Sequence, residues 1–183
     1  KTFELYQTKF KELNILTSNR KDNFLLLLII GALSGLLIKL FALDILRISG
    51  KSMEPSIPDD SFAFVNKLAY GIAIPFKGEF LTQWSAPKKG DVIIYLHNDK
   101  IVVKRCAAVA GEHLDFLSEQ EYSLALNGNK IPLTKSQYEG LKPFSIVPAG
   151  YVLALGDNLS QSIDSRDYGF ISVKNITGKI IGK

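Results

Sequence analysis

Residues 24 to 43 read FLLLLIIGALSGLLIKLFAL, about twenty apolar positions in a row with one charge, Lys39. A helix of about twenty residues is about 30 Å long, the thickness of the hydrocarbon core of a bilayer. Lys39 lies near the far end of the run, where a lysine stem can carry its ammonium to the headgroups. The competing reading is a buried core helix, and a run of this length that is apolar on all sides favours the span. A cleaved signal peptide would have a shorter apolar stretch followed by a small-x-small site, and neither is present. The run therefore predicts a transmembrane helix over 24–43. It divides the chain into a juxtamembrane segment, 1–23, and a main domain, 44–183. The chain begins at Lys1, without a methionine, which leaves room for a missing segment in front.

Charge orients the span. Before residue 44 the chain holds six basic residues against three acidic ones, so most of its net charge of +4 is concentrated there. Lys9, Lys11, Arg20 and Lys21 precede the apolar run at close range. The positive-inside rule then places the N-terminus in the cytoplasm and residues 44–183 outside, giving a single-pass protein of the inner or plasma membrane. Phe3, Tyr6, Phe10, Leu13 and Thr17 recur at spacings of three and four, the pattern of an amphipathic helix. Such a helix can lie on the inner leaflet or stand solvated beside it. The main domain is nearly charge-balanced, so the basic pI gives it no reason to bind nucleic acid.

Beyond Asp44 the texture is β. Short runs rich in β-branched residues alternate with turn signals: FAFV at 62–65, DVIIYL at 91–96, KIVVKR at 100–105, YSLALN at 122–127, YVLAL at 151–155 and GKIIG at 178–182. Asn98 and Asp99 are natural residues for a hairpin turn between the second and third runs. The expected fold is mostly β, an antiparallel sheet domain behind one transmembrane helix. The single cysteine, Cys106, excludes an internal disulfide, and neither it nor His97 and His113 has metal-site spacing. No metal and no cofactor is expected.

GKSMEPSIPDDSF, residues 50–62, holds Ser52 between Gly50 and two prolines, Pro55 and Pro58. A serine in so restricted a backbone is either part of a turn or a nucleophile in need of a base. KIVVKRC offers one. Strand alternation puts Val102, Lys104 and Cys106 on one face and Val103 and Arg105 on the other, so one cation faces inward. The competing reading is an edge strand guarded by a lysine. A buried lysine becomes a base only if burial moves its pKa from about 10.4 to about 7, roughly 4–5 kcal/mol of discrimination against the charged form. With no histidine suitably spaced, a Ser–Lys dyad is the economical scheme.

GDNLSQSIDSRDYGF, residues 156–170, is dense in small polar and charged residues. Together with SGKSMEPSI, GDVIIYLHNDKIVVKRCAAVAGEHLDF, LNGNKIP and VPAGYVLALGDN, it resembles the bacterial type I signal peptidases, or leader peptidases, in the family's own order from Ile48 to the C-terminus. The resemblance implies a serine endopeptidase that cuts signal peptides from secreted preproteins after small-x-small sites. It makes Ser52 the nucleophile, Lys104 the general base and Ser162 the residue that orients the lysine. Asp164 and Arg166 are expected to pair and brace the loop, with Arg105 joining them. One oxyanion donor is the Ser52 N–H. Where some members carry a hydroxyl two residues earlier, this chain has Gly50, so a backbone or water donor must substitute or the hole is weaker. Position 56 is Ser where Thr is more usual. The stretch between the Lys-Arg strand and the GDN loop is short, so a secondary β unit must be small.

Further readings follow from the resemblance. Ile48, Met53, Ile57 and Val103 are candidate walls of the small pockets, with ordinary core packing as the competing account. Tyr70, Phe76, Phe80 and Trp84 either dip into the outer leaflet or pack a long hairpin. The partners implied are secretory preproteins, the lipid bilayer and the translocation machinery. A soluble self-cleaving repressor of Ser–Lys type has no reason for the span or the GDN loop. A pilin-processing relative and an inactive membrane-anchored binding module are the remaining alternatives.

Overall fold

The computed structural model describes residues 23–74, 79–118, 121–126 and 128–182, so the amphipathic segment at 1–22 and Phe76 lie outside the described residues. Two compact units divide near residue 40, the first reaching Leu40 and the second running from Phe41 to Lys183. Helix α1 spans Asn23–Phe41, all but its last residue in the first unit, and none of its residues is buried. The helix stops at Phe41, two residues short of the end of the apolar run, because Leu43 opens strand β1, Leu43–Arg47.

The second unit is built on a seven-stranded sheet in the order β1-β2-β12-β5-β6-β10-β11, every neighbouring pair antiparallel. Its strands include β2 (Phe62–Asn66), β5 (Val92–His97), β6 (Lys100–Val109), β10 (Tyr151–Leu155), β11 (Ile171–Ser172) and β12 (Ile176–Gly182). A separate hairpin joins β3 (Gly71–Ile74) to β4 (Glu79–Gln83). A three-stranded sheet of β7 (Asp115–Leu117), β8 (Ser123–Leu126) and β9 (Asn129–Pro132) is followed by helix α2, Lys135–Leu141. That helix starts with a reciprocal capping box, Thr134 and Gln137 each satisfying the other's backbone N–H. This small β unit is what the short interval before the GDN loop allows.

The central hairpin sets the register of the site. Asn98 and Asp99 both have positive φ, 50° and 59°, as a two-residue turn of type I′ requires. His97 therefore pairs with Lys100, and Lys104 falls opposite Ile93. Along β6 the buried positions from there on are Lys104, Cys106 and Ala108. The lysine is thus on the same face as a core cysteine whose thiol pKa is pushed up to about 12, chiefly by burial.

Three buried clusters hold the unit together. One packs Tyr70, Ile93, Tyr95, Cys106, Val152 and Ala154 with Ile171 and Ile176. A second lies among the small β unit, α2 and β10 and includes Leu124, Tyr138, Val147 and Leu153. The third gathers Ile48, Met53, Ile57 and Ala63, with Val103 packed against it. Tyr70 belongs to the core and donates its hydroxyl to Asp91 at 2.8 Å, so it is not a membrane-dipping residue. Phe80 packs against the same cluster, whereas Leu81 and Trp84 are exposed. One face of the large sheet is also uncovered. Leu43 and Ile45 on β1 and Phe62 and Phe64 on β2 are exposed, with Ile45 paired to Phe64 across the strands.

Candidate active site

The loop before β2 is stitched to itself. Ile48 donates its N–H to Ser61 and accepts that of Asp60, while Gly50 donates to the Asp59 carboxylate at 2.7 Å. Gly50 has φ 104°, a conformation in which a side chain is strained, so glycine suits the position although space around it is open. Lys51–Met53 then form a 3-10 turn, and Ile57 N–H closes onto Met53 carbonyl. Met53 is driven into the third apolar cluster, which leaves Ser52 half-buried at the surface of the turn. Its carbonyl accepts the N–H of Asn158 at 3.0 Å, fastening the turn to the loop after β10.

Lys104 is 4% exposed and its Nζ lies 2.7 Å from Ser52 Oγ. Burial lowers its pKa below the ordinary lysine value. Nearby Asp164 and Asp157 oppose that shift, and Arg166 adds to it.

The loop of residues 156–166 is pinned by two carboxylate–guanidinium pairs. Asp164 is fully buried and accepts from Arg166 Nε at 2.9 Å, from the Arg166 N–H and from the Gly156 N–H. Arg166 also donates to the carbonyls of Leu159 and Ser162. Burial pushes the Asp164 pKa up, but the guanidinium and the backbone donors outweigh it and the net shift is downward. Asp164 doubles as N-cap of α3, Ser165–Tyr168, where Asp167 completes a capping box. Arg105 does not join this pair. It points from the other face of β6 and grips Asp157 with two bonds, 2.7 and 2.6 Å, while also donating to the Gly90 carbonyl and the Ser56 hydroxyl.

Ser162 is buried, and its Oγ has no hydrogen-bond partner among the described residues. The expected bond from Lys104 is absent from this resting arrangement, and the hydroxyl is near Asp164 without meeting hydrogen-bond geometry. Its closest structural constraint is Gly156: a Cβ there would stand 2.2 Å from Ser162 Oγ and 2.6 Å from the Ser52 carbonyl oxygen. Ser52, Gly156 and Ser162 can converge only because position 156 has no side chain. Sequence reasoning passed over this contact, the Arg105–Asp157 pair and the Asp59 bond to Gly50. The aspartate of GDN was the available signal for the second. Of the pocket candidates, Ile48, Met53 and Ile57 are buried in one cluster and Val103 is partly buried against it.

The chain is similar to known proteins over most of its length. The family described as signal peptidase, peptidase S26, matches residues 21–182. Signal peptidase I of Bacillus caldolyticus is 31% identical over 149 residues, covering 78% of this chain and 80% of that protein. Signal peptidase I of Bacillus licheniformis is 30% identical over 167 residues, 82% and 81%. Mitochondrial inner membrane protease subunit 1 of Homo sapiens is 33% identical over 138 residues, 74% and 65%. With the match running through α1, both serine-bearing loops and the strand of Lys104, the chain belongs to the signal peptidase family, peptidase S26.

Proposed function

We propose that this chain is a membrane-anchored signal peptidase I that removes signal peptides from secretory preproteins after small-x-small sites, with Ser52 as nucleophile and Lys104 as general base. The observation that carries the reading is the 2.7 Å approach of a desolvated lysine amine to Ser52 Oγ. A neutral amine can take the hydroxyl proton as Oγ attacks the scissile carbonyl. The tetrahedral oxyanion collapses and expels the amine of the mature protein, which receives the proton from Lys104. Water, deprotonated by the same lysine, then hydrolyses the ester.

The oxyanion must be met by donors already in place. The Gly50 N–H is engaged by Asp59, so it is not the free donor. The Ser52 N–H takes part in none of the loop bonds described above and is the donor assigned. Ser162 serves as a positioning residue: its unpartnered hydroxyl stands ready to hold the Lys104 amine once the substrate excludes water. Asp164, Arg166 and Arg105 brace the loop that carries it. Ile48, Met53, Ile57 and Val103 form the apolar floor beneath small substrate side chains. In this topology residues 1–23 are cytoplasmic, 24–43 include the span and 44–183 act outside. The exposed Leu43, Ile45, Phe62 and Phe64 face follows the span directly in the chain and, with Leu81 and Trp84, suits contact with lipid headgroups and upper acyl chains. The test is cleavage of a preprotein by the purified full chain in detergent, with Ser52→Ala as partner. Equal cleavage by both proteins sinks the proposal.

A further inference from the structure

A cleft lies between the segment that follows Ser52 and the GDN loop, lined by Glu54 and Pro55 on one side and by Asp157, Asn158, Leu159 and Ser160 on the other. The two sides are tied through the nucleophile itself, since Asn158 N–H donates to the Ser52 carbonyl. The two acidic side chains in the lining differ in state. Asp157 is matched by the Arg105 guanidinium. Glu54 is half-buried; its backbone N–H donates to the Lys51 carbonyl, while its carboxylate has no hydrogen-bond or ion-pair partner among the described residues. Among the described residues, no lysine or arginine lines the cleft. None of the apolar group Ile48, Met53, Ile57 and Val103 lines it either. Small side chains before the scissile bond need that apolar ground. A groove in which carboxylate, amide and hydroxyl groups stand beside Pro55 and Leu159 suits the mixed, water-accustomed residues that begin a secreted protein.

We propose that this cleft receives the residues following the scissile bond, and that the unpaired Glu54 carboxylate selects there for basic over acidic side chains. The inference rests on the peptidase reading above and adds a specificity-determining residue to it. Position 54 is the variable one of Ser-Met-x-Pro, so the preference is a property of this chain's choice of residue. A cation within a few ångströms of a partly solvated carboxylate is attracted, and an anion repelled, by an amount that separates Lys from Asp about tenfold or more at moderate salt.

The experiment uses the full chain in detergent micelles and peptides spanning one small-x-small site, with Lys, Ala or Asp at each of the first three positions after the scissile bond. The readout is the Lys:Asp ratio of kcat/KM, taken on one preparation so that any inactive fraction cancels. Wild type is expected to favour Lys about tenfold at one or more of these positions. Glu54→Gln brings the ratio within about twofold of unity, and Glu54→Lys inverts it. A wild-type ratio near unity at all three positions, or a ratio untouched by Glu54→Gln, overturns the proposal. So does a charge preference confined to positions before the scissile bond. If the alanine peptide is not cut at all, the peptidase reading falls and this inference with it, whereas cutting without charge preference removes this inference alone.

Discussion

Gly156→Ala separates geometry from chemistry at this site, because it adds one methyl and removes no functional group. The glycine does not have positive φ, so alanine is not strained by its own backbone. All the cost comes from overlap. The new Cβ would stand 2.2 Å from Ser162 Oγ, 2.5 Å from Ser162 Cβ and 2.6 Å from the Ser52 carbonyl oxygen. Ordinary contacts between such atoms begin near 3.5 Å, so the Ser52 turn and the Ser162 loop must part by about 1 Å. Overpacking of that kind costs about 1–3 kcal/mol. For a domain of this size that is a fall in Tm of roughly 3–10 °C. A displacement of about 1 Å between nucleophile and base costs on the order of 10²-fold in rate. Gly71→Ala is the control: its Cβ would meet Thr82 O at 2.3 Å and Phe80 Cδ1 at 2.6 Å, in the β3–β4 hairpin. Both variants are expected to melt early by differential scanning calorimetry, but only Gly156→Ala should lose kcat/KM on a peptide substrate assayed well below its Tm. A Gly156→Ala enzyme within threefold of wild type would refute the claim that convergence through this glycine places the dyad.

Further outcomes are expected. Lys104→Arg abolishes cleavage in a folded domain, since arginine stays charged. Wild-type activity rises with pH through an apparent pKa below that of free lysine, and calorimetry against pH should find folding stability rising from that pKa up to the free-lysine value, because there the unfolded chain binds the extra proton. Ser162→Ala lowers kcat by about 10²-fold with a smaller change in KM, while Tm holds or rises because the hydroxyl lost had no partner; a falling Tm would mark a structural role instead. Arg105→Met frees Asp157 to attract Lys104, so the rising limb of the pH profile moves to higher pH. Protease added to intact spheroplasts digests the part after Leu43, and protection of that part until lysis would reverse the topology.

Much of the sheet was legible because its strands alternate and its turns carry their own chemistry. The Asn98–Asp99 turn fixes the register of β5 and β6, and with it the inward direction of Lys104. Where local pattern is weak, the sequence misled or was silent. Leu43 extends an apolar run but belongs to a strand, since nothing at residues 41–43 marks where α1 yields to β1. Helix α2 spans only seven residues, too short for a periodic stripe, although its Thr134–Gln137 capping box was readable. For Tyr70 the sequence allows lipid contact or hairpin packing alike, and the structure decides for the core, with its hydroxyl on Asp91 twenty-one residues away. Arg105 was grouped with Asp164 because both lie in charged motifs, but β alternation sends it to the opposite face from Lys104, where Asp157 waits. Pairings across loops depend on tertiary register, which no local spacing encodes.

The surroundings of Lys104 raise a difficulty that those pairings resolve. The base proposed at Lys104 must be neutral, yet Asp157 and Asp164 both act to restore its charge. An unpaired carboxylate in a desolvated site would form an ion pair with the lysine and remove the lone pair that Ser52 needs. Each carboxylate is instead already claimed. Asp164 is held by Arg166 and two backbone N–H groups, and Asp157 by the two-pronged bond from Arg105. A pair that is locally neutral presents a dipole to the lysine, whose field falls off faster than that of a bare charge. Arg166 goes further and opposes protonation directly. The two guanidiniums therefore do more than fix a loop. They let the chain use carboxylates to cap α3 and anchor the GDN segment without surrendering the neutral amine, and the lysine is left with Ser52 Oγ as its near neighbour.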